Sequence, residues 1–492
     1  MSRMRNQLKG ILPRGQFTRG VAVLAGSTVL AQGLILLASP LLTRFYTPAE
    51  FGIFAIYVAI LLPLVTMASW RYELAIPLPE DEDIAANLLV VSLVLVVGMS
   101  LLSAVGVWML GEQIARWFNA ATLKPYLWLV PAGLLGAGAY QALSYWAVRK
   151  KEFGPLARTK LTQSLGQVLP QIGLGLLKLG PLGLLVGDTI GRALGGGFLA
   201  ILFWRDGARG AIRLRSMFDC LRNYSVYPKI MLWASLLNIV ALQSPFLLLP
   251  RYFDVAVAGL YLLAYRVMVL PASLFGSAVG QVFFGRAAED RRNPERLRLI
   301  SVRVAIALFA INLPIYIGVT LAGKDVFSLV FGEQWSLAGT FAQVLAPMTL
   351  MWSVASPLSG LLIVANRELE SFGFTALELA VRVSAILIGV YLNSIMVAVI
   401  LISLSGFILS LAAIVRFLRA ANVSAKELIM PVTRLILINL PSVLILVLAL
   451  QAEKPWVTLI ALMGTVLLSY TATLKYFPEL RFTLLGRDSK PW

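Results

Sequence analysis

Three arginines stand inside long apolar runs, where a charge is costly: Arg192, Arg266 and Arg382. At the centre of a membrane helix an arginine costs about 2.5–3.5 kcal/mol on insertion scales, so each must find a counter-charge, water or an anion. Arg192 follows Asp188 by four residues, and Arg382 follows Glu378 by four. Residues at that spacing face each other on one helix and can neutralise one another. For these two arginines a structural pair and a contact to an anionic substrate both stand open. Asp188 and Glu378 are equally candidates for coupling an ion, H+ or Na+. Arg266 has no acid on its own run, which makes it the leading candidate to hold an anionic group.

Uncharged polar residues suggest a path for hydroxyls. Gln163, Gln167 and Gln171 recur every four residues and so share one helical face. Amides on a membrane helix either bond a neighbouring helix or line water, and both uses are open here. Asn238 and Gln243 are further candidates. Gly187, Gly191 and Gly195 have the GxxxG spacing that lets helices approach closely, so they read first as packing. Arg71 and Glu73, at the end of the second apolar run, either anchor that end or receive a head group at the cytoplasmic mouth.

Enzyme chemistry has little to work with. The chain has no histidine and one cysteine, Cys220, and no GxSxG or GxxxxGK[ST] motif. The expectation is a non-enzymatic protein with no metal and no cofactor. A drug exporter would favour acidic groups for cationic cargo, whereas the excess charge inside these runs is arginine. A polymerase or ligase would need catalytic residues on a substantial loop, and the loops opposite the basic side are short.

The elements that hold these residues are apolar helices. Hydrophobic residues make up 59% of the 492 and charged residues 13%, with a mean hydropathy of +0.83; that is membrane composition. Runs near 20–42, 51–70, 84–110, 126–148, 160–177, 181–204 and 230–249 are followed by runs near 256–284, 301–322, 338–364, 372–391, 395–418, 432–450 and 456–476. Each is long enough to cross a hydrocarbon core of about 30 Å. The expected fold is therefore an all-α polytopic membrane protein of about 14 spans. The first run follows Arg3, Arg5, Lys9, Arg14 and Arg19 and is too long for a signal-peptide core, so it reads as a retained span.

Counting Lys and Arg by side places 32 on the side of the termini and 7 on the other, with the 3 arginines above inside the spans. The positive-inside rule then makes both termini cytoplasmic. The net charge of +18 is thereby assigned to topology rather than to nucleic acid.

The chain also repeats itself. Arg44-Phe45-Tyr46 leads to Gly52, Phe54 and Pro63, and Arg251-Tyr252-Phe253 leads at the same spacing to Gly259 and Tyr261, with Pro271 beyond. Six spans separate the two sets, which implies a parallel repeat of two six-span lobes with a site near the midplane between them. The lobes are expected at 1–204 and 230–419, joined by a basic cytoplasmic linker, 205–229, with spans 13–14 and a cytoplasmic tail in 420–492.

RFYTPAEFGIFAIY, SWRYELAIPLPEDEDIAANLL and GLYLLAYRVMVLPASLFGSAVGQVFFGRAAE resemble the Wzx-type oligosaccharide flippases, in the superfamily that also holds multidrug extruders and lipid II flippases. The resemblance implies translocation of an undecaprenyl-diphosphate-linked repeat unit from the cytoplasmic to the periplasmic leaflet of a bacterial inner membrane. The product would be a surface polysaccharide such as O-antigen, capsule or exopolysaccharide. It further implies a polysaccharide polymerase and a chain-length regulator as partners. On this reading the lobes rock around a cationic cavity, Arg266 holds the diphosphate, and the span-5 glutamines accompany the sugars.

Overall fold

The computed structural model describes residues 16–477, apart from 206–211, 291–292, 366 and 453. Of the topology-setting cations, Arg3, Arg5, Lys9, Arg14, Arg209, Arg291 and Arg292 lie outside the described residues. Among the described residues every regular element is helical. In chain order these are α1 (Gln16–Phe45), α2 (Pro48–Met67), α3 (Glu82–Trp117), α4 (Leu129–Arg149), α5 (Phe153–Leu176) and α6 (Leu182–Ala193). Then come α7 (Gly196–Arg205), α8 (Leu214–Asn223), α9 (Leu232–Tyr252), α10 (Val255–Glu289), α11 (Pro294–Phe331) and α12 (Ser336–Leu358). The last are α13 (Gly360–Val364), α14 (Glu368–Tyr391), α15 (Ile395–Ala420), α16 (Ala425–Leu450) and α17 (Pro455–Tyr476).

The helix boundaries follow local chemistry. Pro48 opens α2 behind a capping box in which Thr47 and Glu50 satisfy each other's backbone N–H groups. The Asn293 side chain caps α11 by accepting from Arg296 N, with Pro294 in the first turn. Ser424 and Glu427 form a second capping box at α16. Backbone that cannot reach water inside hydrocarbon must bond within its own helix, so long uninterrupted helices are the expected solution.

Each of the fourteen apolar runs carries helix, and among the described residues twelve helical segments are long and apolar enough to cross a membrane. The chain is a multi-pass membrane protein. The two runs outside that dozen are α4 and α5; they are long enough, 21 and 24 residues, but α5 carries the three glutamines. Two runs are interrupted. The sixth breaks into α6 and α7 at Gly195, whose φ of +92° suits glycine and whose missing side chain leaves room for Thr159 and Tyr140. The tenth breaks into α12 and α13 just after Pro357.

The described residues cluster into two compact units, one up to Leu262 and the other from Leu263 onward. In the first unit, Leu88 and Leu89 of α3, Leu143 and Trp146 of α4, and Leu199 of α7 build one buried core with Tyr72 and Ile76. The Phe203 ring meets Trp146 edge-on at 5.2 Å, a favoured aromatic geometry. Within the same unit the two sequence repeats meet. A Cβ on Gly52 would overlap the carbonyl of Val255, and a Cβ on Gly259 would overlap the carbonyl of Pro48. Each glycine thus lies against the residue four before the other, and α2 and the start of α10 cross at backbone distance. Asn119 Nδ2 donates to the Arg251 carbonyl at 3.0 Å.

Large apolar side chains are widely exposed, among them Leu37, Trp108 and Met430. In water such surface would be a liability; facing lipid, it is the solvated side of the protein.

Candidate functional site

In the first unit the polar residues gather where α5 and α6 pack. Gly191 lies against Gln163 and Gln167, so that a Cβ there would be 2.7 Å from Gln167 Cβ and 2.9 Å from the Gln163 carbonyl. Gly187 is set the same way against Gln167 and Gln171. The glutamine face and the glycine face are two sides of one seam. The end amides use it: Gln171 Nε2 donates to the Leu184 carbonyl at 3.0 Å, and Gln163 Nε2 to the Arg192 carbonyl at 3.4 Å. Gln171 is buried, while Gln163 and Gln167 remain half-exposed.

Next to this seam Arg192 pairs with Asp188 in a two-point contact, Nε to Oδ2 at 2.6 Å and Nη2 to Oδ1 at 3.1 Å. Such forked pairing is the strong form of the interaction. The Tyr57 hydroxyl of α2 reaches Thr189 Oγ1 at 2.8 Å, beside the pair. Each hydroxyl also has a backbone acceptor, the Leu185 carbonyl at 2.9 Å for Thr189 and the Leu129 carbonyl at 3.5 Å for Tyr57, so either can donate to the other. Gln243 of α9 is buried and Asn238 is exposed. Their five-residue separation turns them about 140° apart on a helix, and the structure does not bring the two together.

In the second unit Arg382 pairs with Glu378 on α14. Tyr265 of α10 lies close enough to this pair to feel both charges. Arg266 follows it, half-buried and engaged by a neighbour, as the cost of an intramembrane charge requires. Arg416 of α15 reaches across to Glu370 of α14, Nη2 to Oε1 at 2.6 Å. Between α16 and α17 runs a groove of about 700 Å³, walled by Leu437, Pro441, Ile445 and Leu468, with Arg434 and Lys475 at one end.

Arg71 and Glu73 occupy a tight turn after α2, with Trp70 and Arg71 both at positive φ. Glu73 has no exposed surface. Its carboxylate accepts from Ser69, from Arg71 Nη1 at 3.2 Å and from Gln141 Nε2 at 3.0 Å. Burial pushes the Glu73 carboxyl above the usual range, and the Ser69, Arg71 and Gln141 contacts pull it part of the way back. The acidic run beyond it wraps Arg149, whose guanidinium donates to the carbonyls of Ile76, Pro79, Glu80 and Asp81. Lys150 pairs with Glu82. This end is an interlocked turn that fixes α2, α3 and α4 together.

Sequence reasoning passed over Tyr57, Gln141 and Tyr265. Tyr57 is placed by packing: Gly133 of α4 leaves the gap its hydroxyl fills, a Cβ there falling 2.6 Å from the hydroxyl. Gln141 and Tyr265 had no signal apart from being polar on apolar helices.

This is the architecture of an all-α polytopic membrane protein. The polysaccharide biosynthesis protein family matches residues 41–339, and the chain belongs to that family. It is similar to the lipopolysaccharide biosynthesis protein WzxC of Escherichia coli (strain K12), 24% identical over 372 residues, 74% of this chain and 73% of that protein. The succinoglycan biosynthesis transport protein ExoT of Rhizobium meliloti (strain 1021) is 26% identical over 341 residues, 66% of this chain and 64% of that protein. In fold, the chain resembles the lipid II flippase MurJ in its inward closed conformation, with TM-score 0.73 and 12% identity over 94% of this chain and all of that one. An inward-facing multidrug resistance transporter of the MATE family gives TM-score 0.65 at 15% identity over 80% of this chain and 95% of its own.

Proposed function

We propose that this protein is a flippase that carries undecaprenyl-diphosphate-linked oligosaccharide repeat units from the cytoplasmic to the periplasmic leaflet of the inner membrane, with both termini in the cytoplasm. The observation that carries the reading is membership of the polysaccharide biosynthesis family over residues 41–339, a stretch that contains Arg192 and Arg266. A lipid-linked sugar cannot cross alone, because each unpaired polar group entering hydrocarbon costs a few kcal/mol. The protein supplies the missing partners and converts nothing chemically. Arg266 holds the diphosphate, Arg192 offers further positive charge, and Gln163, Gln167 and Asn238 meet sugar hydroxyls. The groove between α16 and α17 takes the polyprenyl tail; its apolar walls and its two cations at one end fit a chain ending in phosphate. α4 and α5 complete fourteen spans, and transport proceeds by alternating access. Surface polysaccharide assembly would then depend on a polymerase that receives the units.

Deleting the gene and following the lipid-linked precursor tests this directly. Repeat units should be trapped on the cytoplasmic face and surface polymer lost. Units that reach the periplasm unpolymerised would assign the chain to polymerisation instead, and an unchanged surface would leave an exporter of other cargo. In a complemented strain, Arg266→Ala should abolish transport at normal protein levels; full activity would remove Arg266 from the path.

A further inference from the structure

We propose that α8 is a membrane-surface helix that lies in the head-group layer of an anionic leaflet and ties the lipid's charge to the turn holding Arg71 and Glu73. The proposal rests on reading the chain from Tyr227 onward as a membrane span and not on what is transported.

With about 100° of rotation per residue, Leu214 and Phe218 stand side by side, and Arg222 and Arg215 border Phe218 on the far edge. Both Leu214 and Phe218 are largely exposed, at 75% and 70%. Such residues have no reason to face water on a short polar helix. Arg213, Arg215 and Arg222 are exposed too, and among the described residues none is held by an acid. Asp219, Asn223 and Ser216 follow beyond the arginines, and Cys220, Met217 and Leu221 complete the turn. An apolar strip edged by arginines, with small polar residues opposite, is the pattern of a helix lying in an interface, where the guanidiniums reach lipid phosphates from the strip's edge.

The strip also continues into the membrane surface. Val226 and Ile230, just before α9, and Trp233 at its start are all exposed, so exposed apolar side chains run from α8 to the beginning of that span. The occupant is thus the bilayer, and the three arginines select its anionic lipids.

The other side of α8 is fastened to the protein. Cys220 is buried against α3, its thiol near the Ile84 carbonyl at 3.8 Å. Tyr72 donates to the Leu221 carbonyl at 2.9 Å, and the Arg213 N–H to Asn87 Oδ1 at 3.1 Å. Tyr72 is the immediate neighbour of Arg71 and Glu73. A helix held by lipid on one side and by Tyr72 on the other transmits any shift at the surface to that turn.

The test uses the full chain with Cys220→Ala, carrying a nitroxide on a single cysteine introduced as Leu214→Cys, Phe218→Cys or Asp219→Cys. The protein is reconstituted in vesicles of phosphatidylcholine with or without phosphatidylglycerol. Labels at 214 and 218 should be reached by oxygen in preference to a water-soluble nickel relaxant, and the label at 219 the reverse. Phosphatidylglycerol should deepen the first two, and Arg213→Gln, Arg215→Gln and Arg222→Gln together should remove that deepening. Labels at 214 and 218 as open to nickel as the label at 219 would overturn the proposal. So would labels that neither reagent reaches, which would mean that protein covers this face. Neither readout involves transport, so its failure is separable from failure of the flippase reading.

Discussion

The Asp188–Arg192 and Glu378–Arg382 pairs share one spacing and differ in which partner is covered. On α6 the acid is the buried member, with 4% of the Asp188 side chain exposed against 26% for Arg192. On α14 the order is reversed, with 33% of Glu378 exposed against 11% for Arg382. One pair presents a guanidinium to its surroundings and the other a carboxylate. Equal spacing therefore does not mean equal exposure: the first pair presents its positive end and the second its negative end.

The comparison is sharpened most by removing the exposed partner of each pair. Arg192→Ala and Glu378→Ala each strand a buried charge, and breaking a buried pair in this way costs about 3–5 kcal/mol. Thermal unfolding in detergent should register both losses; a loss no larger than in the opposite truncations would erase the distinction. Those opposite truncations, Asp188→Ala and Arg382→Ala, leave the less covered partner alone and should cost less, up to the roughly 2.5–3.5 kcal/mol of an uncompensated charge inside a span. Arg382→Ala should in addition spare transport if Glu378 is the working end. The exchange Asp188→Arg with Arg192→Asp should restore stability and, if Arg192 meets the cargo, should not restore transport; a double mutant with full transport would reduce that pair to scaffolding.

Smaller still is the expected effect of Gln167→Leu, about 0.5–1.5 kcal/mol or below, because among the described residues the seam's amide hydrogen bonds come from Gln163 and Gln171. Transport lost at unchanged stability would place Gln167 on the sugar path. Glu73 offers a further ion pair, outside the spans, and a pH test. Its folded-state carboxyl titrates above the unfolded value of 4.5, so the folded state binds more protons between the two values. Stability should be greatest below the unfolded value and fall as pH rises through the folded one. Glu73→Gln should flatten that slope, and an unaltered profile would mean that other groups govern it.

Much of this was legible in the residues. Apolar runs located the helices because hydrocarbon leaves the backbone few other solutions, and the i, i+4 acids located the ion pairs because both partners sit on one helix. What failed to show was rotation of one helix against another. Glutamines on α5 and glycines on α6 were each visible as a stripe, yet nothing in either stripe says that they face each other. For the same reason the covered end of each pair, the burial of Gln243 against the exposure of Asn238, and the docking of α8 through Cys220 could be known only from the packing.

The crossing of Gly52 and Gly259 carries a consequence for descent. Each copy of the motif presents the same residue to the same backbone atom of the other, the self-complementary arrangement that two identical subunits make across a two-fold axis. Such a contact works from the moment two copies exist, before any specialisation. Once the copies are fused in one chain, neither glycine can drift alone: a side chain on either meets a carbonyl that the other repeat cannot withdraw. The two halves remain free to diverge everywhere except where they touch as equals.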